Sequence, residues 1–470
     1  MFLQLNVMKF CSILSAIVNL VVLNFSAFSQ VNSEFPFEMR KLSDRTIVFN
    51  ETLTNTNITA VLSNKGIIVI DTYRSFSYMD QLRELIEKEF KRSDFFCIIN
   101  THGHWDHTSG NQVFNNCLIV GHENCVDGMH QYMNFLPAII AQGKEEIAGM
   151  KKRLENIAPD SNDAENLITE INLWNKIYEN YEKGFVFTPP NMTFNDCLNI
   201  NLDDINLKLT YFGSAHSAHD ILIHIPEEKI LIVGDVFYHK KFLTYFHIEE
   251  KIDVPRWIRT LSEALNNNNV EQIVPGHGPL LTRAEMSIWY DYIVELWEGI
   301  SKIQTKNIGF EDVKKQFALK NKFSYLEKLG FNEAELEIHH QIIMQAFWRQ
   351  FRESSTGVIE KVLRKSGIKA AEIKFQEMRN SPNNNYSFFE PEYQKLGYLF
   401  LYEKKVDEAV FIFECSVNIF PESAAAFENL AEAYMTKGDK ENAIKYYKKA
   451  VELNPNNANA KARIAELEKR

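Results

Sequence analysis

Residues 101–107 read Thr101-His102-Gly103-His104-Trp105-Asp106-His107. Three histidines and an aspartate packed this closely make a poor core and a good metal site. Just upstream, Phe95-Phe96-Cys97-Ile98-Ile99 is a short apolar run of buried-strand type. The histidines therefore fall where a strand gives way to a loop. Alternate side chains of extended chain share a face, so His102, His104 and Asp106 can point the same way. His107 breaks the alternation and reaches toward a second metal beside the first. Gly103 removes bulk between the first two ligands.

Three later stretches repeat the theme of a polar residue at a strand end. Ile205 to Tyr211 is a strand-like run followed by Phe212-Gly213-Ser214-Ala215-His216-Ser217-Ala218-His219-Asp220. Ile230-Leu231-Ile232-Val233 runs into Gly234-Asp235, and Gln272-Ile273-Val274 runs into Pro275-Gly276-His277-Gly278-Pro279. Four strand-end loops thus each deliver residues of ligand type. Imidazole and carboxylate donors suit zinc, and an oxygen-bridged pair also admits iron or manganese.

The chain has 470 residues, 45% hydrophobic and 24% charged, an ordinary balance for two or three globular domains. A net charge of -11 argues against nucleic acid as a partner, since a phosphate-binding face needs clustered Lys and Arg. At the N-terminus Lys9 precedes an apolar run from Cys11 to Phe28, and Ala27-Phe28-Ser29 supplies small residues before Gln30. This is the pattern of a secretory signal peptide over residues 1–29, with a secreted or periplasmic product. Left uncleaved, the same run would anchor the protein to a membrane. Cys97, Cys117, Cys125, Cys197 and Cys415 remain after cleavage. They lack paired spacing and form no disulfide framework, although one pair could form in an oxidising compartment.

Strand-like runs at Thr46–Phe49, Ile58–Leu62 and Ile67–Ile70, with a hairpin turn at Asn64-Lys65-Gly66, precede an amphipathic helix over 78–91. Helices alternate with strands through residues 35–305, which predicts an α/β domain with its loops gathered at one edge. Residues 123–184 have helical spacing and form an insertion that overhangs the metal loop, either as packing filler or as a lid or substrate wall. Residues 306–380 are a helical extension, and Ser381-Pro382-Asn383-Asn384-Asn385 is a polar break. Beyond it, over 386–470, Leu396, Gly397, Phe400, Ala409, Phe413 and Pro421 recur 34 residues later as Leu430, Ala431, Tyr434, Ala443, Tyr447 and Pro455. That period, with small residues where helices cross, resembles the tetratricopeptide repeat. A helix from Asn457 to Arg470 caps it. Two repeats are few for independent stability, so they are expected to pack on the preceding helices or on a second subunit.

The order His102-x-His104-x-Asp106-His107, His216, Gly234-Asp235, Gly276-His277 resembles the metallo-β-lactamase superfamily. The resemblance implies an αββα sandwich with a helical insertion, followed here by the all-α repeat domain. It assigns His102, His104 and His216 to one zinc ion and Asp106, His107 and His277 to a second, with Asp235 bridging. The implied function is hydrolysis of an ester, thioester, lactone or β-lactam. A hydroxide held between the metals would attack the carbonyl carbon, and Asp106 would orient it. The spacing from His216 to Pro226 matches the family's, which favours His216 over His219 as third ligand. His219 is left to orient a ligand or to meet substrate. Tyr238, His239, Lys240 and Lys241 line the substrate cleft or form a solvated loop. Family members that are β-lactamases usually carry Cys or Ser where this chain has Asp235. Asp there is typical of the broader hydrolases, which weakens a specific β-lactamase reading. A reading of another class is an interaction scaffold whose repeats bind a protein partner, with a vestigial metal domain. The retained set of seven ligand-type residues opposes it.

Overall fold

The computed structural model of the protein describes residues 35–238, 253–266, 269–304, 308–329, 333–381, 385–455 and 457–469. The expected signal peptide at 1–29 and the residues Lys240 and Lys241 lie outside the described residues, as does most of the polar break at 381–385. These residues fall into two compact units, one reaching residue 303 and taking in 310–347, the other holding 348 onward. The segment expected as an extension thus divides between the two. Among the described residues no helix is long and apolar enough to cross a membrane.

The first unit is built on two sheets. One has seven strands in sequence order: β1 (Phe37–Lys41), β2 (Thr46–Glu51), β3 (Asn57–Ser63), β4 (Gly66–Ile70), β5 (Phe95–Ile99), β6 (Leu118–His122) and β7 (Met192–Phe194). The other has five: β8 (Cys197–Asn201), β9 (Asn206–Tyr211), β10 (Ile221–Ile225), β11 (Ile230–Tyr238) and β12 (Gln272–His277), arranged β12-β11-β10-β9-β8. Strands β1 to β4 pair antiparallel and β4 to β7 parallel.

Strand periodicity sorts the apolar residues onto two faces. Val61, Ile68, Ile70, Cys97, Ile99 and Val120 pack against Leu207, Leu209, Ile221, Ile223, Ile230, Ile232 and Val274, forming the core between the sheets. Their alternates Ile67, Val69, Ile98 and Ile119 turn outward to a helical layer. That layer includes α1 (Phe76–Phe90), α2 (Glu123–Leu154) and α3 (Asn162–Glu182). Helix α1 starts two residues earlier than its apolar spacing suggests, because the Ser75 side chain accepts from the Tyr78 N–H. It stops where Lys91 turns left-handed.

Helices α2 and α3 are the expected insertion. Ile147, Met150, Leu167, Ile171, Trp174 and Ile177 share one core with Tyr78, Leu82 and Ile86 of α1. The insertion is therefore part of the fold's outer layer rather than a detached flap. Two further helices, α4 (Val254–Asn266) and α5 (Arg283–Ile303), bury Trp257, Leu261, Trp289, Tyr292 and Leu296. The arrangement is the α/β sandwich expected from the sequence.

In the second unit, helices Glu390–Tyr402 and Val406–Ile419 form one repeat, and Ala424–Lys437 with Lys440–Leu453 the next. Ala458–Lys469 caps them. The repeating aromatics are helix-to-helix core. Phe413 lies so close to Gly397 that a β-carbon there would meet its ring at 2.3 Å. The repeats also pack on the preceding helix through Ile359, Leu363 and Phe375, which covers a face that two repeats alone would leave wet. Cys97, Cys117, Cys125, Cys197 and Cys415 are all free thiols.

Candidate metal centre

Four chain segments converge at one edge of the two sheets. Strand β5 ends at Ile99 and delivers His102 and His104, and a single helical turn, Trp105–Thr108, presents Asp106 and His107. His216 follows β9, Asp235 lies within β11, and His277 closes β12. The parallel β11–β12 pair is interrupted by register shifts on either side of Gly234, which frees this part of β11 from strict pleating.

The ligand atoms of His102, His104, His216 and Asp235 all lie within 4.8 Å of one another, and so do those of Asp106, His107 and His277. Asp235 also spans the two groups. Its Oδ2 is 3.4 Å from His216 Nε2, 3.7 Å from His102 Nε2 and 3.6 Å from His277 Nε2, while its Oδ1 is 3.3 Å from His107 Nε2. His216 Nε2 faces His104 Nδ1 at 2.9 Å, and His107 Nε2 faces His277 Nε2 at 3.1 Å. Ring nitrogens pointed at one another in this way, with His102 Nε2 buried and lacking a hydrogen-bond partner, fit a cation better than they fit each other. The donor set is nitrogen and carboxylate oxygen, suited to zinc and also to iron or manganese.

The outward-facing atoms are held by a surrounding network. Asp71 lies just past β4 with φ of 59° and accepts from the Thr101 N–H and the Thr101 hydroxyl, both at 2.7 Å. Its Oδ2 also meets His107 Nδ1 at 3.0 Å. His277 Nδ1 meets the Thr54 carbonyl at 2.9 Å, and the Asn57 side chain donates to the carbonyls of Pro275 and Gly278. Such contacts fix ring orientation and leave the inner nitrogens free for metal. Asp71 and the 54–57 turn were not singled out from the sequence. Asp71 carries the same signal as Asp235, a carboxylate directly after a buried strand, and could have been found by it.

Electrostatics follow from burial and charge. Burial holds His102 well below the usual histidine range, and the neighbouring His107, His216, His219 and His277 push it the same way. Burial also works against protonation of His107, yet Asp235, Asp106 and Asp71 together raise it well above normal. Asp106 and Asp235 are held far below the carboxylate range, because their contacts with His107, and with Arg74 for Asp106, outweigh their desolvation. Strong mutual perturbation in a buried cluster is a mark of functional sites.

Of the residues expected at the substrate, His219 is buried beside the ligands. Its Nδ1 accepts from the Gly103 N–H at 3.0 Å and meets the Ser217 hydroxyl at 2.8 Å, so it braces the ligand loop. Helix α2 comes close on this side: a β-carbon at Gly128 would meet His219 Nε2 at 2.1 Å. The Tyr132 ring is 4.9 Å from that of His104. Tyr238 ends β11 in register with His277. Lys240 is outside the described residues.

Residues 52–277 match the family model of the metallo-beta-lactamase superfamily. The match spans just under half of the chain and takes in all seven ligand-type residues. Residues 424–457 match the tetratricopeptide repeat model, which coincides with the second helical repeat. A metallo-beta-lactamase type 2 from Bacteroides fragilis is 31% identical over 98 residues, covering 21% of this chain and 38% of the relative. Among solved structures, a metallo-beta-lactamase from Pontibacter korlensis is 17% identical with a TM-score of 0.37, covering 55% of this chain and 98% of its own. A sec-alkylsulfatase from a Pseudomonas species is 12% identical with a TM-score of 0.47, covering 89% of this chain and 65% of its own. Within the matched residues, the His and Asp groups are placed to hold a divalent metal.

Proposed function

We propose that the protein is an exported dinuclear zinc hydrolase that adds water to the carbonyl of an ester, thioester, lactone or β-lactam. The observation that carries this reading is the pair of donor groups, His102–His104–His216–Asp235 and Asp106–His107–His277, set within one buried edge. Zinc held by these residues would supply Lewis acidity and acidify a bound water to a pKa of about 7. Asp106, whose Oδ2 is 3.3 Å from His277 Nε2, would help hold a metal there and orient a water beside it. Asp71 keeps His107 from turning. The half-buried Tyr132 ring, 4.9 Å from that of His104, would offer an aromatic face to the acyl group.

A second reading, β-lactam hydrolysis proper, is favoured by the name of the Bacteroides fragilis relative and opposed by Asp235. The two are separated by one assay. Zinc-loaded mature protein is expected to turn over an activated ester or thioester and to lose at least about 90% of that activity to a chelator, since both groups need their metal. Efficient chelator-sensitive cleavage of a chromogenic cephalosporin would move it among the β-lactamases. Chelator-insensitive turnover would defeat both readings. Export and assembly are part of the proposal: the leader is removed before Gln30, and the repeats engage a protein partner or a second copy. Native mass spectrometry of the exported protein reads both, and an intact residue 1–29 segment would count against export by cleavage.

A further inference from the structure

Arg74 lies between β4 and α1, and only 5% of its surface is exposed. Its Nη2 donates toward three oxygens: Asp106 Oδ2 at 3.1 Å, Thr54 Oγ1 at 2.9 Å and Thr56 Oγ1 at 3.3 Å. The guanidinium carbon stands 5.0 Å from the Trp105 ring and 5.4 Å from the Trp174 ring. Helix α3 of the insertion grips the same stretch of backbone. The Tyr181 hydroxyl donates to the Arg74 carbonyl at 2.8 Å, and Asn180 Oδ1 accepts from the Ser75 hydroxyl at 2.6 Å and the Ser77 N–H at 3.1 Å. Two aromatic rings close to the guanidinium and a backbone tied to α3 restrain it beside Asp106.

The oxygen of Asp106 that meets Arg74 is the one that faces His277 Nε2 at 3.3 Å. One carboxylate oxygen therefore serves both a fixed cationic side chain and the group proposed to hold a metal. We propose that Arg74 is a positioning residue that fixes Asp106 and weakens the hold of the Asp106–His107–His277 group on a divalent cation. The physical reason is Coulombic. A unit charge a few ångströms from a divalent ion, in a site shielded from water, opposes its binding far more than it would at the surface. The insertion, by clamping Arg74, then sets a property of the metal centre from a helix that contributes no ligand.

This inference rests on the metal-centre reading above, and its test separates the two. Metal-free full-length protein is titrated with Zn2+ against a chromophoric chelator, and with Co2+ followed by visible absorption. The binding step abolished by His277→Ala reports the group in question. Arg74→Gln keeps a donor toward Asp106 and removes the charge. It is expected to tighten that step at least about tenfold, or about 1.4 kcal/mol, and to move the other step less than about threefold. Arg74→Lys keeps the charge and is expected to stay within about threefold of wild type. A step that is unchanged or weaker in Arg74→Gln overturns the inference. Should that variant not fold, Trp174→Leu loosens the clamp and is expected to tighten the same step roughly threefold; no tightening overturns it equally. A wild-type protein that binds no zinc defeats the metal-centre reading itself, while normal binding with an Arg74-independent step defeats only the present one.

Discussion

Exchanging Asp235 for asparagine is expected to cut kcat/KM of the zinc-loaded protein roughly 10³-fold, about 4 kcal/mol of transition-state stabilisation. Bound zinc is expected to fall to about one ion per chain or less. The oxygens of Asp235 approach both donor groups, with Oδ1 toward His107 and Oδ2 toward His102, His216 and His277. The five imidazoles of the two groups are neutral as metal ligands, so two divalent cations side by side need carboxylate charge between them. Asparagine keeps the shape and one carbonyl oxygen but removes that charge. The side chain is buried within the first unit, so water cannot substitute for it cheaply. Metal analysis by mass spectrometry, steady-state kinetics and far-ultraviolet dichroism make the check. Unchanged dichroism with lost metal and lost turnover is the expected pattern. Two retained ions with full turnover would remove Asp235 from the centre.

Much of this site was legible because its residues cluster in sequence or stand at strand ends. His102, His104, Asp106 and His107 occupy one loop, and His216, Asp235 and His277 each follow an apolar run whose end is marked by glycine or a turn. Local pattern suffices for such positions, since an apolar run that stops at a glycine or a turn marks a strand end by itself. Both sheets and the two helical repeats were legible on the same grounds. Arg74 was not. An arginine between tyrosine and serine reads as a solvated residue, and its burial comes from Trp174 and Tyr181, about a hundred residues later. Long-range packing of that kind leaves no local periodicity. Thr54 and Thr56 were hidden for a related reason: they belong to a hairpin turn, where threonine is unremarkable until His277 and Arg74 arrive beside it. The insertion was recognisable as helical, but its burial against α1 was not, because both its faces carry apolar residues.

Gly276→Ala tests whether the strand-end geometry itself holds the centre. A β-carbon at Gly276 would stand 1.9 Å from Asp235 Oδ1, 2.9 Å from the Gly234 carbonyl carbon and 3.0 Å from the Asp235 nitrogen. The first clash could be relieved by turning the Asp235 side chain, but the other two are with backbone. That backbone is not free to yield. Gly234 has φ of 54°, and a β-carbon there would meet the side chain of Thr101 at 3.0 Å, the residue that donates to Asp71. Strand β11 must therefore move away from β12 or Asp235 must leave its position, and either outcome disturbs both donor groups. The expected cost is about 2 kcal/mol of stability, typical of overpacking a tight interior, which lowers Tm by roughly 5 °C in a domain of this size. The loss of turnover is expected to be larger in proportion, about 100-fold, because a displacement near 1 Å in a catalytic constellation is enough for that. Gly149→Ala supplies the control: it lies in α2, where a β-carbon meets nothing within 4 Å. There the exchange is expected to stabilise by roughly 0.5–1 kcal/mol through helix propensity and leave turnover alone. Thermal melts and kcat/KM on the two variants decide the matter. Full activity in Gly276→Ala would mean that Asp235 does not need the place the fold gives it.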